Sequence, residues 1–182
     1  MKSVYVAICM VMSAAQMDVV QAASIERVAI GSAAAKRSDA VALKCSESSS
    51  IPAPTAADRL SVVLGTVALP LREGLPAPTR SEFDDPTALL FAKSGLIVRS
   101  GSKPVELRLI SGSELRAKIG WGRRPVLLGT AVIVPQCTAR DGRKWLAFSG
   151  GYFVAKEQCL RLEVRSNGRA RRVSIGVGSP CE

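Results

Sequence analysis

The chain has 182 residues, enough to bury a core within one domain, and its hydrophobic and charged fractions, 47% and 22%, are those of an ordinary globular protein. It contains no histidine, which excludes Ser-His-Asp and Cys-His nucleophilic machinery, H-E-x-x-H metal sites and imidazole acid–base chemistry. Aromatic residues make up only 4%, which argues against a stacking platform for single-stranded nucleic acid despite a formal net charge of +10.

Residues 1–22 read as a secretory signal. Lys2 supplies the positive start, Val4 to Ala15 is an uncharged and mainly apolar run, and Val20-Gln21-Ala22 places small residues at a cleavage site, with Ser13-Ala14-Ala15 as an alternative cut. Asp18 interrupts the run short of the ~20 apolar residues that a membrane span needs. Ile8 is too bulky for the position before a lipidated cysteine, so Cys9 leaves with the signal. No later stretch is long and apolar enough to span a bilayer. The expected location is therefore secreted or at the cell envelope.

Residues 23–57 are rich in Ala and Ser and end in Ser48-Ser49-Ser50-Ile51-Pro52-Ala53-Pro54, a composition that predicts a flexible or weakly helical tail. A β-domain is expected over 58–182. Leu60 to Leu69 is β-branched and bounded by Pro70, which predicts a strand. Residues 70–87, broken by four prolines and carrying Glu82, Asp84 and Asp85, predict a long loop. Leu89 to Val98 returns to strand, bent at Gly95. Val105, Leu107 and Leu109 alternate with charged residues, as do Leu115, Ala117, Ile119 and Trp121, and Ser111-Gly112-Ser113-Glu114 fits a turn joining the two as a hairpin. Val126 to Val134 is a nearly continuous apolar run that predicts another strand. Asp141-Gly142 predicts a turn, Lys144 to Phe148 a strand, and Gly150-Gly151 a kink or bulge before Tyr152-Phe153-Val154.

The last hairpin can be registered residue by residue. Asn167-Gly168 is the strongest two-residue hairpin signal. Setting Ser166 opposite Arg169 places Val164 opposite Arg171, Leu162 opposite Val173 and Leu160 opposite Ile175, and on the other face Glu163 opposite Arg172. A slip of one residue would turn the apolar set outward, so this register is well specified. With about eight or nine short strands and no convincing helix after residue 58, the fold class is all-β: an antiparallel sandwich, with the immunoglobulin-like form favoured.

Four cysteines remain once the signal is removed: Cys45, Cys137, Cys159 and Cys181. An even count in an exported chain predicts two disulfides, with three pairings open. The favoured one joins Cys137 to Cys159, closing the excursion from Trp145 to Val154, and leaves Cys45 for Cys181. The nearest spacing is twenty-two residues, far from the close pairs of a zinc site, so neither a metal nor another cofactor is expected.

The positive charge belongs to the second half of the chain. Residues 1–98 carry nine basic and nine acidic side chains, and residues 99–182 carry sixteen and six. Such a field attracts polyanions, and for an exported protein these would be an anionic wall polymer or an anionic membrane surface rather than nucleic acid. Arg123 and Arg124, before Pro125, and Arg169, Arg171 and Arg172, after the tight turn, are the candidate contacts, with Glu163 partly neutralising Arg172. Other chemistry is weaker. Ser100-Gly101-Ser102-Lys103 matches the S-x-x-K pattern of penicillin-interacting serine enzymes, but it sits in a turn and lacks the companion S-D-N and K-T-G motifs. Glu82, Asp84 and Asp85 could serve a carboxylate-dependent hydrolase or hold Ca²⁺. Trp121 and Trp145 lie on strand patterns and read as core rather than as a sugar platform. A protease inhibitor presenting an Arg loop is the remaining alternative. The main reading has no catalytic residue.

Late in the chain, Val132-Ile133-Val134-Pro135-Gln136-Cys137, Trp145 to Val154, Cys159-Leu160-Arg161-Leu162-Glu163-Val164 and Gly176-Val177-Gly178-Ser179-Pro180-Cys181 together resemble a family of small exported, β-rich, disulfide-bonded proteins of GC-rich Gram-positive bacteria. The resemblance runs from about Leu60 to Cys181. It implies export, β-structure and disulfides, and no reaction.

Overall fold

In a computed structural model, the described residues are 39–80, 89–110, 112–113, 116–124 and 126–181, with Ala56 described by its backbone alone. They all fall in one unit, Asp39–Glu182. The expected signal segment, the acidic loop residues Glu82, Asp84 and Asp85, and part of the Ser111–Glu114 turn lie outside them.

In chain order the strands are β1 (Ala40–Ala42), β2 (Ser48–Ile51), β3 (Ser61–Val63), β4 (Val67–Leu69), β5 (Thr79–Arg80), β6 (Leu90–Lys93), β7 (Leu96–Arg99), β8 (Val105–Leu109), β9 (Ala117–Trp121), β10 (Ala131–Val134), β11 (Trp145–Phe148), β12 (Gly150–Val154), β13 (Gln158–Ser166) and β14 (Arg169–Val177). They form three sheets, ordered β1-β10-β8-β13-β14, β2-β11-β7-β4-β3 and β5-β6-β12-β9. The arrangement is all-β and sandwich-like. Every strand pair is antiparallel except β1 with β10.

The β13–β14 hairpin has the register expected from its alternation: Ser166 faces Arg169, Val164 faces Arg171, Leu162 faces Val173, Leu160 faces Ile175 and Glu163 faces Arg172. Asn167 and Gly168, at φ 52° and 71°, make the left-handed turn that this two-residue connection requires. The alternation in β8 and β9 is also realised, with Val105, Leu107, Leu109, Ala117, Ile119 and Trp121 all buried. The two strands do not form a hairpin, however. β8 pairs with β10 and β13, whereas β9 pairs with β12 in another sheet. A period-two pattern defines a buried face and leaves the neighbour open.

Two predicted strands are subdivided and a third is shortened. Leu60 to Leu69 turns back on itself at Leu64 and Gly65, both at positive φ, and the Thr66 N–H donates to the Val63 carbonyl at 3.0 Å. Leu89 to Val98 breaks at Ser94-Gly95, as expected of Gly95, but β6 and β7 then enter different sheets. Val126 to Val134 is strand only from Ala131, and Leu127 is 64% exposed.

The break at Gly95 is matched on the opposite strand. Leu96 faces Phe148 in the β7–β11 pair, and Lys93 faces Gly151 in the β6–β12 pair. The register is therefore continuous through a bend, across which the Ser94 N–H donates to the Gly150 carbonyl at 2.9 Å. Two sheets are thus joined by one folded ribbon. Trp121 holds the corner: it is 2% exposed, and its Nε1 donates to the Ser94 carbonyl at 2.7 Å. Trp145 is likewise a core residue, 8% exposed.

The expected tail through residue 57 is corrected over residues 40–51. Ala40–Ala42 runs beside Ala131–Ile133, Leu43 is buried, and Ser48–Ile51 pairs with β11. Ala and Ser are weak strand formers, but neighbouring strands supply the hydrogen bonds, so tertiary context overrides composition.

The favoured disulfide pairing is corrected for the same reason. The bridges are Cys45–Cys137 and Cys159–Cys181, with Cα separations of 5.4 and 5.0 Å. Parallel β1 and β10 leave the sheet in the same direction, and Cys45 and Cys137 follow them at one end. Cys159 lies opposite Gly176 in the last hairpin, so the chain need only turn at Gly178 to bring Cys181 back to it.

Tyr152 stands out in the core. It is fully buried edge-on to Trp121, with ring centroids 5.3 Å apart, and its hydroxyl has no hydrogen-bond partner among the described residues. Burial pushes that hydroxyl well above the ordinary tyrosine range. The folded protein therefore holds a proton that the unfolded chain releases near pH ~10, and stability present below that pH falls above it by up to ~1.4 kcal/mol per unit. An unpaired buried hydroxyl also costs about 1–3 kcal/mol. Tyr152→Phe is thus expected to raise stability at pH 7 and to flatten the loss between pH 10 and 11. Urea unfolding at these pH values checks both effects, and a less stable variant at pH 7 would contradict the assignment.

Candidate anion-binding surface

The outer face of the β1-β10-β8-β13-β14 sheet carries alternating charge. Glu106 pairs with Arg108 at 2.7 Å, and the Glu163 carboxylate is shared by Arg165, on its own strand, and Arg172, across the strand at 3.7 Å. The expected neutralisation of Arg172 is thus loose. Its side chain is 78% exposed, while Arg165 makes the tighter contact.

β14 is an edge strand, and Arg169 through Arg172 are all exposed. Strand alternation sets Arg169 and Arg171 on the face shared with Val164 and Ser166, and Arg172 on the opposite face with Glu163. The end of the hairpin therefore presents guanidinium groups on both sides of one ribbon. Edge charges of this kind also prevent strand-to-strand aggregation.

Arg123 and Arg124 follow β9 and are exposed. The Arg123 guanidinium donates to the Ser46 carbonyl at 3.2 Å, which ties this loop to the segment around Cys45. Arg124 lines a cavity of about 500 Å³ together with Arg80, Lys93, Phe91 and Gly150. Arg169 lines a different cavity, of about 460 Å³, with Glu106, Arg165 and Ser166. Among the described residues, the two cavities share no lining residue. The five candidate arginines thus divide into a hairpin group and a loop group. Sequence reasoning missed Arg80, Lys93 and Arg165. Nothing in local pattern marks Arg80 or Lys93, since each is a single charge at a strand end and only the bend of the ribbon brings them to one cavity.

Ser100 and Ser102 serve the turn after β7. Ser100 Oγ accepts from the Ala139 N–H at 2.8 Å, and Ser102 Oγ donates to the Arg99 carbonyl at 2.8 Å. Among the described residues, no three His, Cys, Asp or Glu side chains converge as a metal site would require. No helix among them is long and apolar enough to cross a membrane.

Compared with known proteins, the chain matches no family model, no curated protein and no solved structure.

Proposed function

We propose that this is an exported, non-catalytic cell-envelope or extracellular binding protein whose basic surface holds an anionic wall polymer. The carrying observation is the hairpin end. Arg169, Arg171 and Arg172 are exposed within four residues of an edge strand, and the one described carboxylate facing them across β13, Glu163, is shared with Arg165. Arginine suits a chain of phosphates or carboxylates because its planar fork binds such groups bidentately and is always charged. Guanidinium groups on both faces of a ribbon suit a flexible polymer that can wrap it. Two disulfides fit an oxidising compartment, which supports export.

The test is retention on an immobilised polyglycerol phosphate. Binding should weaken steeply with salt, since the Debye length falls from ~10 Å at 0.1 M to ~3 Å at 1 M. Arg169→Ser, Arg171→Ser and Arg172→Ser together should lower affinity at least tenfold, and Arg123→Ser with Arg124→Ser should lower it less. Affinity that is flat with salt, or unchanged in the hairpin variant, would sink the reading. Retention only on vesicles of anionic lipid would replace the polymer with a membrane surface.

A further inference from the structure

The cavity beside the ribbon corner has a chemistry of its own. Arg80 comes from β5, Lys93 from β6 and Arg124 from the loop after β9, so three separate segments bring cations to one concavity. No acidic residue is among the described residues that line it. Arg80 and Lys93 are exposed, and no ion pair or hydrogen bond ties their side chains among the described residues. Arg80 and Lys93 carry like charges on this one concavity, and an anion placed between them relieves their repulsion. The rest of the wall is different. Phe91, Ala92, Pro76 and Val126 give it an apolar side that an inorganic ion would leave unused. Phe91 is fixed there by Phe153, at a centroid distance of 4.9 Å. The volume, about 500 Å³, lies within the ~300–1,000 Å³ range of small-molecule sites.

We propose that this cavity binds an amphiphilic phosphate monoester, with the phosphate held by Arg80 and Lys93 and an apolar body laid on Phe91. Arginine supplies the bidentate fork and lysine a compact point charge, a combination that suits a doubly charged head better than a carboxylate. The site is separate from the hairpin surface and goes beyond a polymer-binding role.

The experiment titrates decyl phosphate, below its micelle concentration, into the full chain by calorimetry. One-to-one saturable binding is expected. Arg80→Ser with Lys93→Ser should weaken it at least tenfold. Ala77→Trp, which fills the cavity from an exposed position, should do the same. Arg169→Ser with Arg171→Ser should leave it unchanged, so failure here and failure of the polymer reading are distinguishable. A neutral decyl glycoside should not compete, and inorganic phosphate should compete only weakly. Equal competition by inorganic phosphate would overturn the apolar half of the proposal. Binding that is absent, or that survives both cavity variants, would overturn all of it. Co-sedimentation with vesicles containing phosphatidic acid, lost in the Arg80/Lys93 variant, would assign the head group to a lipid. Binding of the free monoester without vesicle retention would assign it to a soluble phosphate. Matching urea midpoints for parent and variants show that the losses are not unfolding.

Discussion

Replacing Cys45 and Cys137 with serine is expected to cost about 4–5 kcal/mol, a large fraction of the ~5–15 kcal/mol that a domain possesses. The bridge spans 92 residues of sequence, so its loss frees a long loop in the unfolded ensemble. In the folded state the bridge fastens β1 and the segment after it, which contributes few large side chains: Leu43 is buried, whereas Ala40 to Ala42 and Ser48 to Ile51 are partly or fully exposed. Such a segment depends on its tether more than on its own packing. Cys159–Cys181 spans only 22 residues and closes a hairpin already held by nine residue pairs. Its removal should cost about 3 kcal/mol. Urea unfolding of the two double variants gives the ordering, and amide exchange should show Val41 and Leu43 losing protection first in the former. A larger loss from Cys159 and Cys181 would contradict the argument.

The contrast between the two bridges bears on what was legible in the sequence. The 158–177 hairpin was readable because turn chemistry and alternation specify the same register and every partner is local. The break at Gly95 was readable because glycine interrupts a strand pattern. The parallel contact of β1 with β10 carries no local signal: Ala40-Val41-Ala42 is small and weakly apolar, and its partner lies some ninety residues away. Once that contact is missed, the disulfides follow wrongly, because the proximity of Cys45 and Cys137 is a consequence of it. The β8–β9 hairpin failed for a related reason. Both strands bury alternate residues, but into sheets whose separation depends on the whole fold. The proposed binding surface divides along the same line. Arg169, Arg171 and Arg172 were visible as a local cluster after a recognisable turn. Arg80 and Lys93 were not, because they come to line one cavity only where β5 joins β6 beside the corner.

That corner yields the second large expected effect. Gly150→Ala should destabilise the fold by at least ~3 kcal/mol, combining backbone strain of ~1–3 kcal/mol with overpacking of similar size. Gly150 has φ +153°, and a Cβ there would lie 2.2 Å from the Gly120 carbonyl oxygen and 2.6 Å from Trp121 Cα. Both obstacles are backbone in a paired strand, so neither can swing aside as a flexible side chain would. Moving β9 away would also disturb the Trp121 indole, whose hydrogen bond to Ser94 secures the opposite strand of the ribbon. The close approach that forbids a side chain thus maintains the bend between two sheets. Gly142→Ala provides the control. It also has positive φ, +73°, but nothing lies within 4 Å of its Cβ position. It should lose only about 1 kcal/mol from the left-handed backbone. Comparing urea midpoints separates strain from crowding: the corner explanation requires Gly150→Ala to fall well below Gly142→Ala, and equal losses would mean that β9 and the ribbon can part without cost.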